Sequence, residues 1–472
     1  MPSITSLGVG SGLDLTTLLK GLERSESSRL EPIKIQEKSY TNKLDGYNRL
    51  SSALEGFQGA VDALADPALY ESKSITTTST AFSATSGTDA QEGNYSIKVQ
   101  NLASAQSLAT TGQASRTDTI GTGGNSTLTL SITDGAGNVS STTDIALDST
   151  NSSLEGIRDA INTADAGVTA SIINDGSGTP YRLVMTSDKT GESSQINMSV
   201  TNDDILNTDT SLQDLLNYNS ADNSGNLTET SEAKNANLEI NGLAITSDTN
   251  TVEEAIQGVT LTLNSVNDTA ENMVVAQDDG TIREAFETLV SSYNSMQDLI
   301  DIQTSYDAES KSSNGSLLGE STVRSIQNQI RGAFNTSVSG DSLNYLTQAG
   351  ISLNKDGKLE IDDTRFDKAM TDVSSLSTLM IGADGESGVT SVLSTTLGSM
   401  LDEGGVLDTV TGSIDSRLES LKDRKETIQK SIDSTVDRYR KQFNDLDLLL
   451  SNINSTSSYL SQQLSALNTP QN

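Results

Sequence analysis

Apolar residues recur at steps of three and four through the last sixty residues of the chain. Ile414, Leu418, Leu421, Lys425, Ile428, Ile432, Val436, Tyr439, Phe443, Leu446, Leu450, Ile453, Ser457, Leu460, Leu464 and Leu467 share this spacing, and only Lys425 and Ser457 among them are not apolar. A 3.5-residue repeat lays such positions along one stripe of a helix, and that stripe leaves water only against a partner helix. The rhythm slips once, with two consecutive fours from Ile428 to Val436. A continuous helix over this stretch is roughly 80 Å long at the α-helical rise, too long to fold back on a small core. The pattern therefore predicts a rod. Charges crowd the rod from Asp415 to Asp447 and then stop, because Leu448 to Asn472 holds no ionisable side chain. Unpaired charge is costly away from water, so this end reads as a helix that packs inside an assembly, with a frayed polar tail as the plainer alternative.

A second rod is predicted at the other end. Leu15, Leu18, Leu19 and Leu22 form a helical stripe, and after Pro32 the positions Ile33, Tyr40, Leu44, Tyr47, Leu54, Phe57, Val61 and Leu64 keep heptad-like spacing until Asp66-Pro67. Two rods at opposite ends of one chain are natural partners. From Ser72 the pattern changes to short alternating runs. Tyr95, Ile97 and Val99, then Leu128, Leu130 and Ile132, then Val168, Ala170 and Ile172, then Tyr181, Leu183 and Met185 read as half-buried strands. Asp134-Gly135, Asp175 to Gly178 and Asn241-Gly242 read as turns. Leu154 to Ala164 is the one convincing helix of this region, and Asn217 to Lys234 reads as a linker or long loop. Further strands are predicted at Ala236 to Ile240 and around Val259 to Leu263.

Helical spacing returns after Asp278-Asp279-Gly280, with Phe286, Leu289, Val290, Tyr293 and Met296 on one face. Leu317 to Phe334 reads as a second helix, and Ile351 to Ile361 as a hairpin about Asp356-Gly357. Phe366 to Met370 starts another helix, and Val389 to Leu401 leads into the final rod. The order is rod, β modules, helices with a hairpin, rod. This is a multidomain α+β chain in which the N- and C-terminal helices pair as coiled-coil legs and a helical bundle, with mainly-β modules inserted between them.

Composition narrows the function. Sixty-four acidic against thirty basic residues give a net charge of −34, which disfavours nucleic acid and an anionic membrane surface. No run is apolar enough to span a bilayer. Aromatic content of 4% leaves small cores. The chain has no cysteine and no histidine, so disulfides, thiol nucleophiles, Ser-His-Asp triads and zincin chemistry are excluded. The acidic pairs Asp203-Asp204, Glu253-Glu254, Asp278-Asp279 and Asp362-Asp363 are adjacent residues rather than carboxylates facing across a pocket. Ser352 to Asp363 imitates a calcium loop, but Ser352 occupies the first ligand position and the segment reads as a hairpin. No enzyme, cofactor or metal is expected, and a clear secretory signal is missing from Met1 to Gly12.

Five stretches carry a family resemblance. They are Gly8-Val9-Gly10-Ser11-Gly12-Leu13-Asp14-Leu15 with Leu18, Leu19 and Leu22; Tyr95 to Ala103; Leu154 to Ile161 with Asn162 and Val168 to Ile172; Asn241-Gly242 with Asn250 to Val252 and Gly258 to Leu261; and Gly350-Ile351 with Asp356 to Leu359 and Asp362. In this order they resemble the bacterial flagellar filament cap family, also called hook-associated protein 2. The resemblance implies a protein exported unfolded through the flagellar type III apparatus, without a cleaved signal peptide, to the extracellular distal tip. There it assembles as a closed ring, with a pentamer favoured, and promotes flagellin insertion and folding while preventing flagellin loss. Flagellin, the hook-filament junction protein and an export chaperone at the C-terminal region are the implied partners, alongside other copies of the chain. Terminal leg helices are expected at 1–42 with 433–472, a helical bundle domain at 43–75 with 276–432, an inner β module at 76–105 with 232–275, and an outer β module at 106–231. The β modules form a plate. Leu15, Leu18, Leu19, Leu22, Leu446, Leu450, Ile453, Leu460, Leu464 and Leu467 are the expected oligomer or filament contacts. The alternatives are a surface adhesin whose β modules bind host glycans, or another flagellar axial or junction protein.

Overall fold

The computed structural model describes residues 14–203, 208–309, 314–339 and 342–467, with side chains described as far as residue 465. The glycine-rich opening and Asp204 lie outside the described residues. Contacts divide the chain into two units, one joining Met1–Tyr70 to Ile282–Asn472 and the other formed by Glu71–Thr281.

The first unit begins with helix α1 (Leu15–Ser27), a 3₁₀ turn over Ser28–Leu30 and helix α2 (Glu31–Ala65). Asp66 leaves the helical conformation before Pro67, whose ring crowds the preceding residue, and the short helix α3 (Pro67–Glu71) follows. Half of α2 belongs to a bundle rather than to a two-helix rod. From Tyr47 onward its Leu50, Leu54, Phe57, Val61 and Leu64 are buried in the largest core of the chain.

The second unit enters through strands β1 (Lys73–Thr77), β2 (Phe82–Ser86) and β3 (Gly93–Asn101). It continues through β4 (Ser107–Ala109), β5 (Ser126–Thr133), β6 (Val139–Leu147), helix α4 (Leu154–Ala164), β7 (Val168–Asn174), β8 (Tyr181–Ser187) and β9 (Gln195–Asn202). Helix α5 (Ser211–Leu216) and strands β10 (Tyr218–Asn219), β11 (Ser224–Gly225) and β12 (Thr228–Ser231) come next. The chain then returns through β13 (Ala236–Ile240), β14 (Leu243–Ser247), β15 (Thr251–Ile256), β16 (Val259–Leu263) and β17 (Glu271–Gln277). One core joins the early and late strands, in sheets ordered β1-β17-β3-β13-β14 and β15-β16-β2. A separate core lies among β4 to β12, in sheets ordered β11-β10-β9-β5-β6 and β12-β4-β8-β7, with α4 packed against β6 and β7.

The structure corrects the sequence reading here. Asn217 to Lys234 is not a linker: Tyr218 and Leu227 are buried, β10 pairs with β9, and β12 pairs with β4. These strands are too short for alternation to show. Helix α5 was hidden for the same reason. The left-handed residue of the β5–β6 turn is Gly137, not Gly135, because the Asp134 carboxylate folds the turn by accepting the Ala136 and Asn138 amides. At Asn241-Gly242 both residues have positive φ, 51° and 82°, as a two-residue type I′ hairpin requires.

The Asp278 carboxylate accepts the Thr281 amide at the start of helix α6 (Asp279–Thr304), which carries the chain back into the first unit. Helix α7 (Ser321–Phe334) starts four residues later than Leu317, which is buried in a preceding turn that Gly319 turns with φ 83°. Strands β18 (Ile351–Leu353) and β19 (Leu359–Ile361) form the hairpin, with Asn354 Oδ1 accepting the Asp356 and Lys358 amides. Asp362 then caps helix α8 (Asp363–Met370), and helices α9 (Val373–Ile381) and α10 (Val389–Leu401) follow. Phe57, Tyr293 and Phe334 interlock at the core centre, with ring centroids 5.0–6.1 Å apart. Helix α11 (Val406–Leu467) runs unbroken for 62 residues, eight of them before Ile414. About 47% of the chain is helical and 24% is strand, which makes the fold α+β.

Three asparagines clamp strands to their neighbours. Asn162 exchanges two hydrogen bonds with the backbone of Ala170, Asn250 with that of Ala103, and Asn294 with that of Leu359. A carboxamide carries both a donor and an acceptor, so one side chain replaces one residue of a ladder.

Candidate assembly surface

The stalk is built from α1, α2 and α11. Glu37 pairs with Lys425 at 2.8 Å, and the Arg417 guanidinium lies 6.0 Å from the Tyr40 ring centre. Leu30 packs with Ile432 and Val436, flanked by half-buried Leu19 and Ile428. Rising numbers on α2 meet falling numbers on α11, so the two run antiparallel. Lys425, the charged member of the apolar stripe, sits on the seam because Glu37 answers it there.

At the root of the stalk, Lys43 bridges to Glu320 at 2.6 Å and the Tyr47 hydroxyl donates to the same carboxylate. Burial and the Glu320 charge push the Tyr47 phenol up to about 12. At the start of α1 the Asp14 carboxylate accepts the Thr17 hydroxyl and amide, which hold it below the usual carboxylate range.

The ten expected contact residues separate into two environments. Leu15 is 1% exposed, so it serves the interior of the stalk rather than an outer face. Leu19 and Leu22 are half-buried, and Leu18 points to solvent. On α11, Leu446 is exposed and Leu450 half-buried. From Asn452 to Ser465 every side chain is exposed, Ile453, Leu460 and Leu464 by more than half. Leu467 ends the helix, and its side chain lies outside the described ones. A shallow groove on this face is lined by Leu449, Asn452, Ile453, Thr456, Ser457 and Leu460. Leu449 is not among the expected contacts, because it lies off the heptad track. Its signal was available in the triple Leu448-Leu449-Leu450, which no single helical stripe accommodates.

An exposed leucine-isoleucine face free of charge, on a helix that continues out of a packed core, is the kind of surface that marks an interaction site. It is the construction of a structural protein completed by assembly. Among the described residues no group of three or more carboxylates is placed to hold a metal ion, and no helix is long and apolar enough to cross a membrane.

Comparison with known proteins gives the family. Models of the flagellar hook-associated protein 2 N-terminus and C-terminus match residues 11–106 and 233–455, and a flagellin hook IN motif matches residues 127–189. Flagellar hook-associated protein 2 of Escherichia coli K12 is 39% identical over 471 residues, covering 98% of both chains. That of Salmonella typhimurium LT2 is 38% identical over 99% of this chain and 100% of its own. The crystal structure of the D1-D2-D3 domains of the flagellar cap protein FliD from Escherichia coli superposes with a TM-score of 0.66 at 36% identity, covering 78% of this chain and 99% of that one. The chain belongs to the flagellar hook-associated protein 2 family. Similarity along the whole length favours a filament cap over an adhesin or another axial protein.

Proposed function

We propose that this chain caps the bacterial flagellar filament: copies form a closed ring, a pentamer, at the distal tip, where the ring retains flagellin and guides each subunit into place. The observation that carries this reading is the full-length similarity to cap proteins joined to an exposed, charge-free α11 end. In this reading the β modules, 76–105 with 232–275 and 106–231, form the plate. The bundle domain is 43–75 with 276–432, and residues 1–42 with 433–472 are the legs.

Leu18, Leu446, Leu450, Ile453, Leu460, Leu464 and Leu467 contact other copies, the filament or the hook-filament junction protein, while Leu15, Leu19 and Leu22 hold the leg together. The C-terminal region is also the site for an export chaperone. The chain is exported unfolded, without a cleaved signal peptide. Freedom from cysteine removes the risk of cross-linking during threading. Complementation of a cap-deficient strain with a chain lacking residues 448–472 tests the proposal. The β modules fold and filament growth is lost; filaments of normal length from the truncated chain refute it.

A further inference from the structure

We infer that the leg carries a built-in joint at Ser28–Leu30, about which α1 bends and separates from α11 while α2 stays attached. This deepens the proposal that the terminal helices act as legs and rests on it for its role in filament growth; the joint itself does not depend on that role.

Two observations meet at the same level of the stalk, and a third lies between that level and the bundle. The first is in the backbone. Pro32 lacks the N–H that would reach the Ser28 carbonyl four residues back, and that carbonyl accepts the Glu31 amide instead. The turn tightens to 3₁₀, and the Ser28 hydroxyl donates to the Ser25 carbonyl. Short 3₁₀ stretches within a helical rod are places where it bends.

The second observation is on the partner. The single slip in the α11 stripe, the consecutive fours Ile428, Ile432 and Val436, lies against Leu30. An eleven-residue interval in a heptad pattern locally unwinds a supercoil, so the two helices do not wrap around each other there.

The third is the thinness of the packing. On α2 no side chain between Ile33 and Tyr47 is fully buried, and on α11 none between Ile414 and Ile432. The small cluster of Leu30, Ile432 and Val436 is therefore isolated from the bundle core, and α1 itself adds only Leu15 to the buried set. Removing α1 from α11 uncovers little apolar surface. Moving α2 from Tyr47 onward breaks into the bundle.

The absence of cysteine permits clean labelling of the full chain. Spin labels at K20C and K38C straddle the turn at roughly 27 Å if the rod is straight, and labels at K20C and K441C report separation of α1 from α11. Double electron–electron resonance on the folded protein gives broad distance distributions for both pairs. Pro32→Ala restores the missing N–H and narrows both, with circular dichroism confirming the fold. Leu30→Ala, which removes the clamp, broadens the K20C–K441C pair further. Distributions in the parent chain as narrow as those in Pro32→Ala overturn the joint. In a cap-deficient strain, Pro32→Ala shortens filaments. Normal filaments from that variant, with its distances narrowed, overturn the joint's role in growth. Failure of the parent chain to support filaments strikes the cap reading alone and leaves the distance measurement standing.

Discussion

Ile432→Ala separates the stability of the leg from that of the bundle. Ile432 is 1% exposed and packs with Leu30 and Val436 in a core of three buried residues, flanked by half-buried Leu19 and Ile428. Truncating a buried isoleucine to alanine costs about 2–5 kcal/mol. The low end applies here, since a cluster this small at the edge of solvent collapses readily around the lost atoms. A local cost of about 2 kcal/mol lowers amide-exchange protection about thirtyfold, because each 1.4 kcal/mol is a factor of ten. The loss falls on 15–30 and 430–450 and spares α6, α7 and α10, whose core is a separate cluster. Native-state hydrogen exchange with mass spectrometry measures this. An even loss of protection across the bundle, or none in 15–30, refutes the reasoning. Phe57→Ala is the contrast. Its ring meets those of Tyr293 and Phe334 in the main core, and the cost of about 3–5 kcal/mol appears as global unfolding of the first unit.

Four further variants have defined outcomes. Glu37→Gln removes a pair in which both side chains are more than a third exposed, so it costs at most about 1 kcal/mol and the loss shrinks in high salt; Lys425→Leu, which completes the apolar seam, raises leg protection, and exchange measured at two salt concentrations reads both. The Asp14 carboxyl sits below its usual value of 3.8 in the folded chain, so its cap on α1 holds fully above that value and is lost as pH falls through the lowered one; an exchange series across this acid range shows α1 fraying in the parent and no such step in Asp14→Ala. Gly350→Ala strains a backbone at φ 85° and sets a new Cβ 2.8 Å from the Asp362 carbonyl oxygen, which costs about 1–3 kcal/mol in a urea melt.

Periodicity made the long elements legible, because a stripe of sixteen positions outweighs local noise. The pairing of α1 and α2 with α11 also followed, from two stripes that each lacked a partner. Tyr47, Leu54, Phe57, Val61 and Leu64 kept the same spacing yet pack into a bundle, because a heptad specifies a helical contact and not how many helices make it. Tyr218 and Thr228 to Ser231 escaped, since strands of two to four residues gain their identity from pairing with β9 and with the distant β4. The roles of Asn162, Asn250 and Asn294 show only once the backbone groups they clamp are in view. The exposed end of α11 was marked by its missing charges, while Leu449 was masked by its neighbours.

Helix α11 joins Ile414 in the bundle core to Leu464 near its far end without a break, over roughly 75 Å at the α-helical rise. Its companion rail is interrupted at Ser28. One rail is thus a strut and the other a jointed tether. A push or twist applied at the tail by whatever seats there reaches the bundle along α11 with no break in the helix, while α1 is free to yield sideways. Such a leg is stiff along its length and compliant across it, so it can follow an uneven rim and still deliver thrust to the core.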